Sequence, residues 1–148
     1  MFKNSLYATV FAAHLAGLIE TLVAAGKVPV AFHFRMGIES GPVYCFYDPG
    51  REKWNYIGSG INDAQRILSA IPPTTDDVIH ISENIRNYLL SPPSPDFTYI
   101  GDIIVSKLTN RGRQADKHGN RRRVYELNYT DLFMLGRDLF DRSLDRIP

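Results

Sequence analysis

The segment Arg35–Leu68, RMGIESGPVYCFYDPGREKWNYIGSGINDAQRIL, decides the fold, because strand and helix patterns follow one another in it. Apolar and polar residues alternate, and strand-forming residues then follow a glycine-containing turn, which predicts a β-hairpin over about residues 31–47. Apolar residues at helical spacing over residues 61–71 predict a helix that Pro72 ends. The segment thus joins a hairpin to a helix through a glycine-rich loop.

Upstream of this segment, Leu6–Ala25 is apolar and rich in alanine. Asn4 or Ser5 can cap a helix that starts here. His14 and Glu20 interrupt the apolar run, and its unbroken part is far shorter than the roughly 20 residues that cross a bilayer. We therefore expect a buried amphipathic helix, not a membrane span or a signal peptide.

Downstream, strand and helix patterns continue to alternate, which is typical of an α+β or α/β domain with one open sheet. The predicted elements are a strand at 78–81, a helix from Ser82 to about Leu90, one or two strands within 97–105, a basic polar loop at 110–123, a strand at 124–127 and a helical extension at 129–148.

Composition restricts the function classes. The chain has 148 residues, enough for one domain, with 17 Lys and Arg against 16 Asp and Glu. Near-neutral charge argues against a mainly electrostatic binder of nucleic acid or membrane, although a basic run lies at 111–123. The single cysteine, Cys45, excludes an intrachain disulfide and is expected to be a core thiol. We expect a cytoplasmic protein.

The loop at 58–60 and the helix after it suit an anionic ligand. Glycine lets the backbone approach a ligand closely, and the free N–H groups of a helix N-terminus favour phosphate. Asn62 and Arg66 stand four residues apart on one helix face. Asn can bind a sugar hydroxyl, and Arg can stabilise charge on a phosphoryl oxygen. The alternative is a solvated helix face on which the Arg pairs with a nearby Asp.

An ordered series of short motifs covers about residues 5–128 and resembles the C-terminal part of a class III nucleotidyl cyclase catalytic domain, the adenylate/guanylate cyclase domain. The motifs are Arg35-Met36-Gly37-Ile38, Ser40-Gly41-Pro42-Val43, Tyr56-Ile57-Gly58, Ile61-Asn62-Asp63-Ala64-Gln65-Arg66, Ile81-Ser82-Glu83, Lys117-His118-Gly119 and Val124-Tyr125-Glu126-Leu127.

The resemblance implies an α+β fold, a ferredoxin-like or palm-type open sheet with helices on one face. It also implies 3′,5′-cyclisation of a nucleoside triphosphate with release of pyrophosphate, a phosphorus–oxygen lyase reaction of intracellular signalling. Asn62 would orient the ribose and Arg66 would stabilise the transition state. Residues 1–128 would form the cyclase homology domain.

Three further residues follow from the same resemblance as substrate contacts. Asn55 occupies the position that would recognise the base, where the family usually has Asp or Cys. The identity of the base is therefore left open, and the alternative is that Asn55 is a polar loop residue. Gly58 opens the loop that approaches the substrate. Arg121, with Arg123 as the other candidate, would bind the triphosphate unless the basic loop is simply solvated.

The sequence departs from the family at the metal site. The resemblance implies Mg²⁺ or Mn²⁺, but the two metal-binding aspartates precede the first helix in the family and no matching segment occurs here. We therefore expect a domain that lacks the family's N-terminal strands, is inactive alone, and leaves a sheet edge and an apolar helix face exposed.

Such a chain is expected to bind a nucleoside triphosphate and to form a homodimer or pair with a complementary cyclase domain. The alternatives are a non-catalytic regulatory or dimerisation module of the same fold, or a gene fragment. Neither nucleic acid nor membrane is an expected partner. The four histidines show no metal-ligand spacing.

Overall fold

Four strands form a mixed sheet, and two more form a separate hairpin. The computed structural model describes residues 4–70, 77–92, 94–116, 118–130 and 132. The strands are β1 (Arg35–Ile38), β2 (Tyr44–Asp48), β3 (Lys53–Ile57), β4 (Val78–Ser82), β5 (Leu108–Ala115) and β6 (Arg121–Leu127). The helices are α1 (Ser5–Ala24), α2 (Ser59–Ser69), α3 (Glu83–Leu90) and α4 (Thr98–Ser106), with a 3₁₀ turn at Pro95–Phe97.

The sheet order is β1–β4–β6–β5, with β1 and β4 parallel and the other pairs antiparallel. Strands β2 and β3 pair only with each other among the described residues. The predicted α+β class with an open sheet is confirmed.

Local sequence accounts for the helix starts. The Asn4 side chain accepts a hydrogen bond of 2.7 Å from the backbone N–H of Leu6 and caps α1. Ser82 caps α3 in the same way, by accepting from the N–H of Ile85 at 3.2 Å. Both caps confirm the expected helix beginnings.

Helices cover both faces of the sheet. The main core joins α1, α3 and α4 to Ile38, Ile79, Ile81 and Tyr125. Side chains on the opposite face of the sheet pack against α2 instead, since Val124 of β6 clusters with Ile67 and Ala70. Three helices thus share one face as expected, whereas α2 packs on the other.

The α2 packing depends on close contact with β1. A Cβ at Gly37 would lie 2.7 Å from the Ala64 carbonyl oxygen, so the helix sits directly on the strand. The Arg35 Nη2 donates to the Leu68 carbonyl at 2.9 Å and binds the helix C-terminus, where a cation is favourable.

The predicted hairpin at 31–47 is wrong. β1 pairs with β4, and the hairpin instead joins β2 to β3 across residues 44–57. Cys45, expected in the core, is exposed on this hairpin. The turn residues after β1 do not place the next strand beside β1. The segment after Glu39 instead crosses to the start of α2, where the Pro42 carbonyl accepts from the N–H of Gly60.

Two other predictions in the C-terminal half are wrong. The segment 97–105 is mostly α4 and not strand, because its Ile100 and Ile104 lie on one buried helix face. Gly101 brings α4 close to α3, where an added Cβ would meet the Leu89 carbonyl oxygen at 2.2 Å. The loop expected at 110–123 is largely the β5–β6 hairpin.

The predicted helix after residue 129 lies almost entirely outside the described residues. Tyr129 and Leu132 belong to the main core, and the Tyr129 hydroxyl donates to Glu20 Oε1 at 2.9 Å. Among the described residues, α1 alone is long and apolar enough to cross a membrane, a test that core helices also pass. Here α1 contributes Leu6, Val10 and Ala13 to the core.

Candidate functional site

The glycine-rich loop meets the segment after β1 in backbone contact. The N–H of Gly60 donates to the Pro42 carbonyl at 3.3 Å. Gly58 has φ +155°, and a Cβ there would lie 2.3 Å from the same carbonyl oxygen. A Cβ at Gly60 would likewise lie 2.9 Å from the Gly41 oxygen. Only glycine fits this junction, which positions the N-terminus of α2.

Asn62 lies in the first turn of α2, and Arg66 lies one turn later, in the last turn of the helix and not within its first two turns as predicted. Asn62 is exposed, and its backbone N–H donates to the Gly58 carbonyl at 3.4 Å. Arg66 is about one-third exposed and donates from Nη1 to Asp63 Oδ1 at 3.0 Å. The alternative of an Arg paired with a nearby Asp on the same helix is therefore what the free chain adopts.

Arg66 belongs to a network of four charges, which we call the α2–β6 ion cluster: Asp63, Arg66, Asp116 and Arg122. Arg122 Nη2 lies 2.8 Å from Asp63 Oδ1. Asp116 Oδ2 lies 4.0 Å from Arg66 Nε and 3.9 Å from Arg122 Nε. The cluster joins the exposed face of α2 to the first residues of β6.

Asp116 is the buried anion of this cluster. Burial by itself would raise the pKa of its carboxyl group, but hydrogen bonds from the backbone N–H groups of His118 and Asn120 outweigh it. Those bonds are 2.8 and 3.0 Å long, and the net effect lowers the pKa below its ordinary value. The carboxylate therefore stays charged beside the two arginines.

Arg121 is the neighbour of Arg122 on β6 but lies on the other face of the strand. Strand alternation places it on the same face of β6 as Arg123, whose Nη1 donates to Glu83 Oε1 of α3 at 2.8 Å. It lines a polar cleft of about 230 Å³ with Arg113, Glu39 and other residues. Arg122, the next residue along the strand, is the cation that faces α2.

Asn55 is half-buried in the middle of β3, where it pairs in register with Phe46 of β2. The surrounding hairpin residues are exposed and mostly aromatic. Tyr44 is 70% exposed and Trp54 is 62% exposed, and the ring of Trp54 packs edge-on against Tyr47 at 5.5 Å. This hairpin connects directly to Gly58.

The structure thus brings together part of the predicted site. Gly58, Asn62 and Arg66 share α2 and its N-terminus. Asn55 is on the adjoining hairpin, and Arg121 lines the polar cleft, to which neither Asn62 nor Arg66 contributes. Sequence reasoning missed Asp116 as a partner of Arg66, and Arg122 as the second cation on Asp63, since nothing in their spacing places them opposite α2.

A second and larger cavity lies beside β1. It has a volume of about 600 Å³ and is lined by α1, β1 and the α2 residues Gly60, Ile61, Ala64, Gln65 and Leu68. We call it the edge groove. Its lining combines the strand β1 with the facing surfaces of α1 and α2.

The described part of the chain holds no group of three or more His, Cys, Asp or Glu side chains that could bind a metal ion.

Comparison with known proteins gives no assignment. No family model, no curated protein and no solved structure matches this chain.

Proposed function

We propose that this chain is a cyclase-type half-site that acts on a nucleoside triphosphate in the cytoplasm. In the reaction, the ribose 3′-oxygen attacks the α-phosphorus and loses its proton, and pyrophosphate leaves. Asn62 binds the ribose, and Arg66 stabilises the charge that develops on the phosphoryl oxygens. Asn55, Gly58 and Arg121 are the other proposed substrate contacts.

The observation that supports this proposal is the glycine junction. The N-terminal part of α2 carries the longest motif of the resemblance, and the segment after β1 carries one of its four-residue motifs. The two segments meet at Pro42 and Gly58–Gly60. Their contact orients the N-terminus of α2, from which Asn62 projects, and Arg66 follows one turn later on the same helix. A fixed helix end beside a functional Asn and Arg is what positioning of a charged substrate requires.

The α2–β6 ion cluster suits the role proposed for Arg66. Asp63 engages Nη1 and Asp116 faces Nε, so two carboxylates orient the guanidinium. Arg has five N–H donors, and the Nη2 donors are not used in these two contacts. An oriented arginine loses less entropy when it binds a phosphoryl oxygen.

The proposal includes a partner. Mg²⁺ or Mn²⁺ would supply the charge that activates the 3′-hydroxyl and holds the phosphates, and a complementary cyclase domain would bring the ligands. This chain alone is then expected to turn over little or no substrate.

The test is a complementation assay with mass-spectrometric detection of cyclic nucleotide. The chain is incubated with each of the four nucleoside triphosphates and Mg²⁺ or Mn²⁺, alone and with a cyclase domain that keeps its metal aspartates but lacks its own Asn and Arg. We expect product only in the mixture, and the reactive triphosphate identifies the base.

Matched variants make this result specific. Arg66→Ala and Asn62→Ala should lower product formation by about 100-fold or more, because each removes a group that acts in the transition state. Arg51→Ala and Asn87→Ala remove exposed residues of the same types and should leave it unchanged. Product that survives Arg66→Ala, or no product in any mixture, would contradict the proposal.

The exposed hairpin favours a second candidate, a non-catalytic interaction module. Its aromatic side chains occupy both faces of a two-stranded unit, which is marginal in water without a partner. Association without any nucleotide binding, measured by calorimetry with each triphosphate, would support this candidate instead.

A further inference from the structure

The edge groove continues the plane of the sheet beyond β1. Helix α1 forms one wall and α2 the other, while β1 forms the base between them. Because the two helices pack on opposite faces of the sheet, the space between them has the position of one more strand. The apolar wall residues are Ala8, Phe11 and Ala12 from α1 and Ile61, Ala64 and Leu68 from α2.

Strand β1 offers a free edge to this space. Within the described residues it pairs with β4 on one side only. The other end strand, β5, is protected by the charges of Arg111 and Arg113 and by a register irregularity between Asn110 and Arg113. Strand β1 has neither a charged side chain nor a register irregularity at Met36, Gly37 and Ile38. Its edge can therefore accept another strand.

The groove has the size of a short strand. A residue sandwiched between two layers fills about 160 Å³, from the usual rise, strand separation and layer spacing. The groove volume of about 600 Å³ therefore corresponds to about four residues, which is also the length of β1. Since both walls are mainly apolar, with Gln65 as a polar residue of the α2 wall, an occupant with apolar side chains on both of its faces fits best.

Strand β2 has this unusual pattern. Tyr44, Cys45, Phe46 and Tyr47 are consecutive, apolar or aromatic, and all exposed. They place two side chains on each face, and the first charge comes only at Asp48. Strand β3 differs, because it begins with Lys53 and carries Asn55 in its middle.

The position of β2 favours a second copy as its acceptor. Val43 lines the rim of the groove, and β2 starts at the next residue, so the hairpin leaves the domain at the groove mouth. In a dimer whose two-fold axis brings the two groove mouths together, the β2 strand of each copy faces the groove of the other copy.

We infer that β2 of one copy of this chain enters the edge groove of a second copy and pairs with its β1, reciprocally, in a symmetric dimer. The backbone of the free edge supplies the hydrogen bonds, and the two helices cover both faces of the inserted strand. This inference goes beyond the proposed function and concerns a contact separate from the one with a complementary cyclase domain. It rests on the sheet edge and needs no nucleotide.

The first test measures mass by sedimentation velocity on the full chain over a range of concentrations, without nucleotide or metal. We expect a dimer for the unmodified protein. Phe46→Glu places a charge between apolar walls and should raise the dimer dissociation constant about 100-fold or more. Tyr99→Glu is the matched control, because Tyr99 is 73% exposed on α4 and outside the groove, and it should leave the constant unchanged.

A mixing experiment tests the reciprocal contact. Ala8→Phe fills the groove but leaves β2 intact, whereas Phe46→Glu damages β2 but leaves the groove intact. Each variant alone should be monomeric, and their mixture should form a heterodimer through the one intact contact. A circular dichroism spectrum like that of the unmodified protein confirms that each variant folds.

Cross-linking tests the same contact without the Ala8→Phe variant, in case that variant folds poorly. Cys45 is the single cysteine and lies on β2. Ala8→Cys should be joined to Cys45 of another copy by a short bis-maleimide, and the link should disappear in Ala8→Cys with Cys45→Ser. A monomeric unmodified chain, an equal effect of Tyr99→Glu, or a mixture that stays monomeric would each overturn the inference. Because no nucleotide is present, this failure is distinct from failure of the cyclase assay.

Discussion

Arg66 donates from Nη1 to Asp63 Oδ1 over 3.0 Å, one helical turn earlier on α2. The same oxygen lies 2.8 Å from Arg122 Nη2 on β6. One carboxylate thus links a helix to the first residues of a strand that is almost sixty positions further along the chain. The orientation of Arg66 depends on this shared anion.

Asp63→Asn tests the energetic value of that link. The change removes the charge that faces two arginines while keeping the side-chain volume. Because these groups are partly exposed, we expect the free energy of unfolding to fall by only about 1 kcal/mol. Urea unfolding should show the difference at low salt and a smaller one at high salt, where screening weakens both pairs.

Asp102→Asn provides the control for this measurement, because Asp102 is an exposed carboxylate on α4. It should change neither the unfolding midpoint nor its salt dependence. If Asp63→Asn behaves like Asp102→Asn, the ion cluster has no role in holding α2 against β6.

Asp116 predicts an acid-sensitive contribution to stability. Its pKa is lowered in the folded chain, so the unfolded chain binds a proton at a higher pH than the folded chain does. The stabilisation is therefore present above the ordinary pKa of 3.8 and is lost as the pH falls through the lower folded value. Urea midpoints across this acidic range should fall less steeply in Asp116→Asn. An unchanged slope would contradict the assignment.

His80 predicts a second pH effect, at higher pH. Its ring is fully buried in β4, and within the described residues neither ring nitrogen has a hydrogen-bond partner. Burial lowers its pKa below 6.5, and Arg35 and Arg111 lower it further, while Glu126 partly opposes the shift. The unfolded chain therefore takes up a proton first, so the free energy of unfolding falls as the pH drops below 6.5.

His80→Leu should remove this pH dependence. It should also leave stability near neutral pH unchanged or raise it by about 1 kcal/mol, since an unsatisfied polar group is replaced by an apolar one. His33→Leu is the comparison at an exposed histidine, whose ring lies 3.4 Å from Asp77. Thermal unfolding from neutral to mildly acidic pH separates the variants, and a slope retained in His80→Leu would argue against His80 as its source.

The sequence was sufficient to predict α1, α2 and α3, because each has a cap or a breaker next to apolar residues at helical spacing. Asn4 and Ser82 are local signals, and they act on N–H groups two or three residues away. The placement of Asn62 and Arg66 one turn apart on α2 followed from the same kind of pattern.

Strand pairing was less predictable, because it depends on residues far apart in the chain. β1 pairs with β4 more than forty residues later, although turn residues directly after β1 favour a local hairpin. The run Ile103-Ile104-Val105 has strong strand propensity, but it forms the end of α4 since Gly101 lets that helix pack closely on α3. The ion cluster was hidden for the same reason, as its carboxylates come from α2 and from the turn before β6.

The glycine junction provides the sharpest test of the proposed site. Gly58→Ala would place a Cβ 2.3 Å from the Pro42 carbonyl oxygen, at a φ of +155° that side chains disfavour. We expect a loss of about 3 kcal/mol in the free energy of unfolding, from the combined clash and backbone strain. Gly26→Ala separates the two contributions, because Gly26 also has positive φ but has nothing within 4 Å of an added Cβ. It should cost only about 1 kcal/mol. If urea unfolding shows equal losses of stability for the two variants, the contact with Pro42 does not hold α2 in place. The structural support for a positioned Asn62 and Arg66 would then be lost.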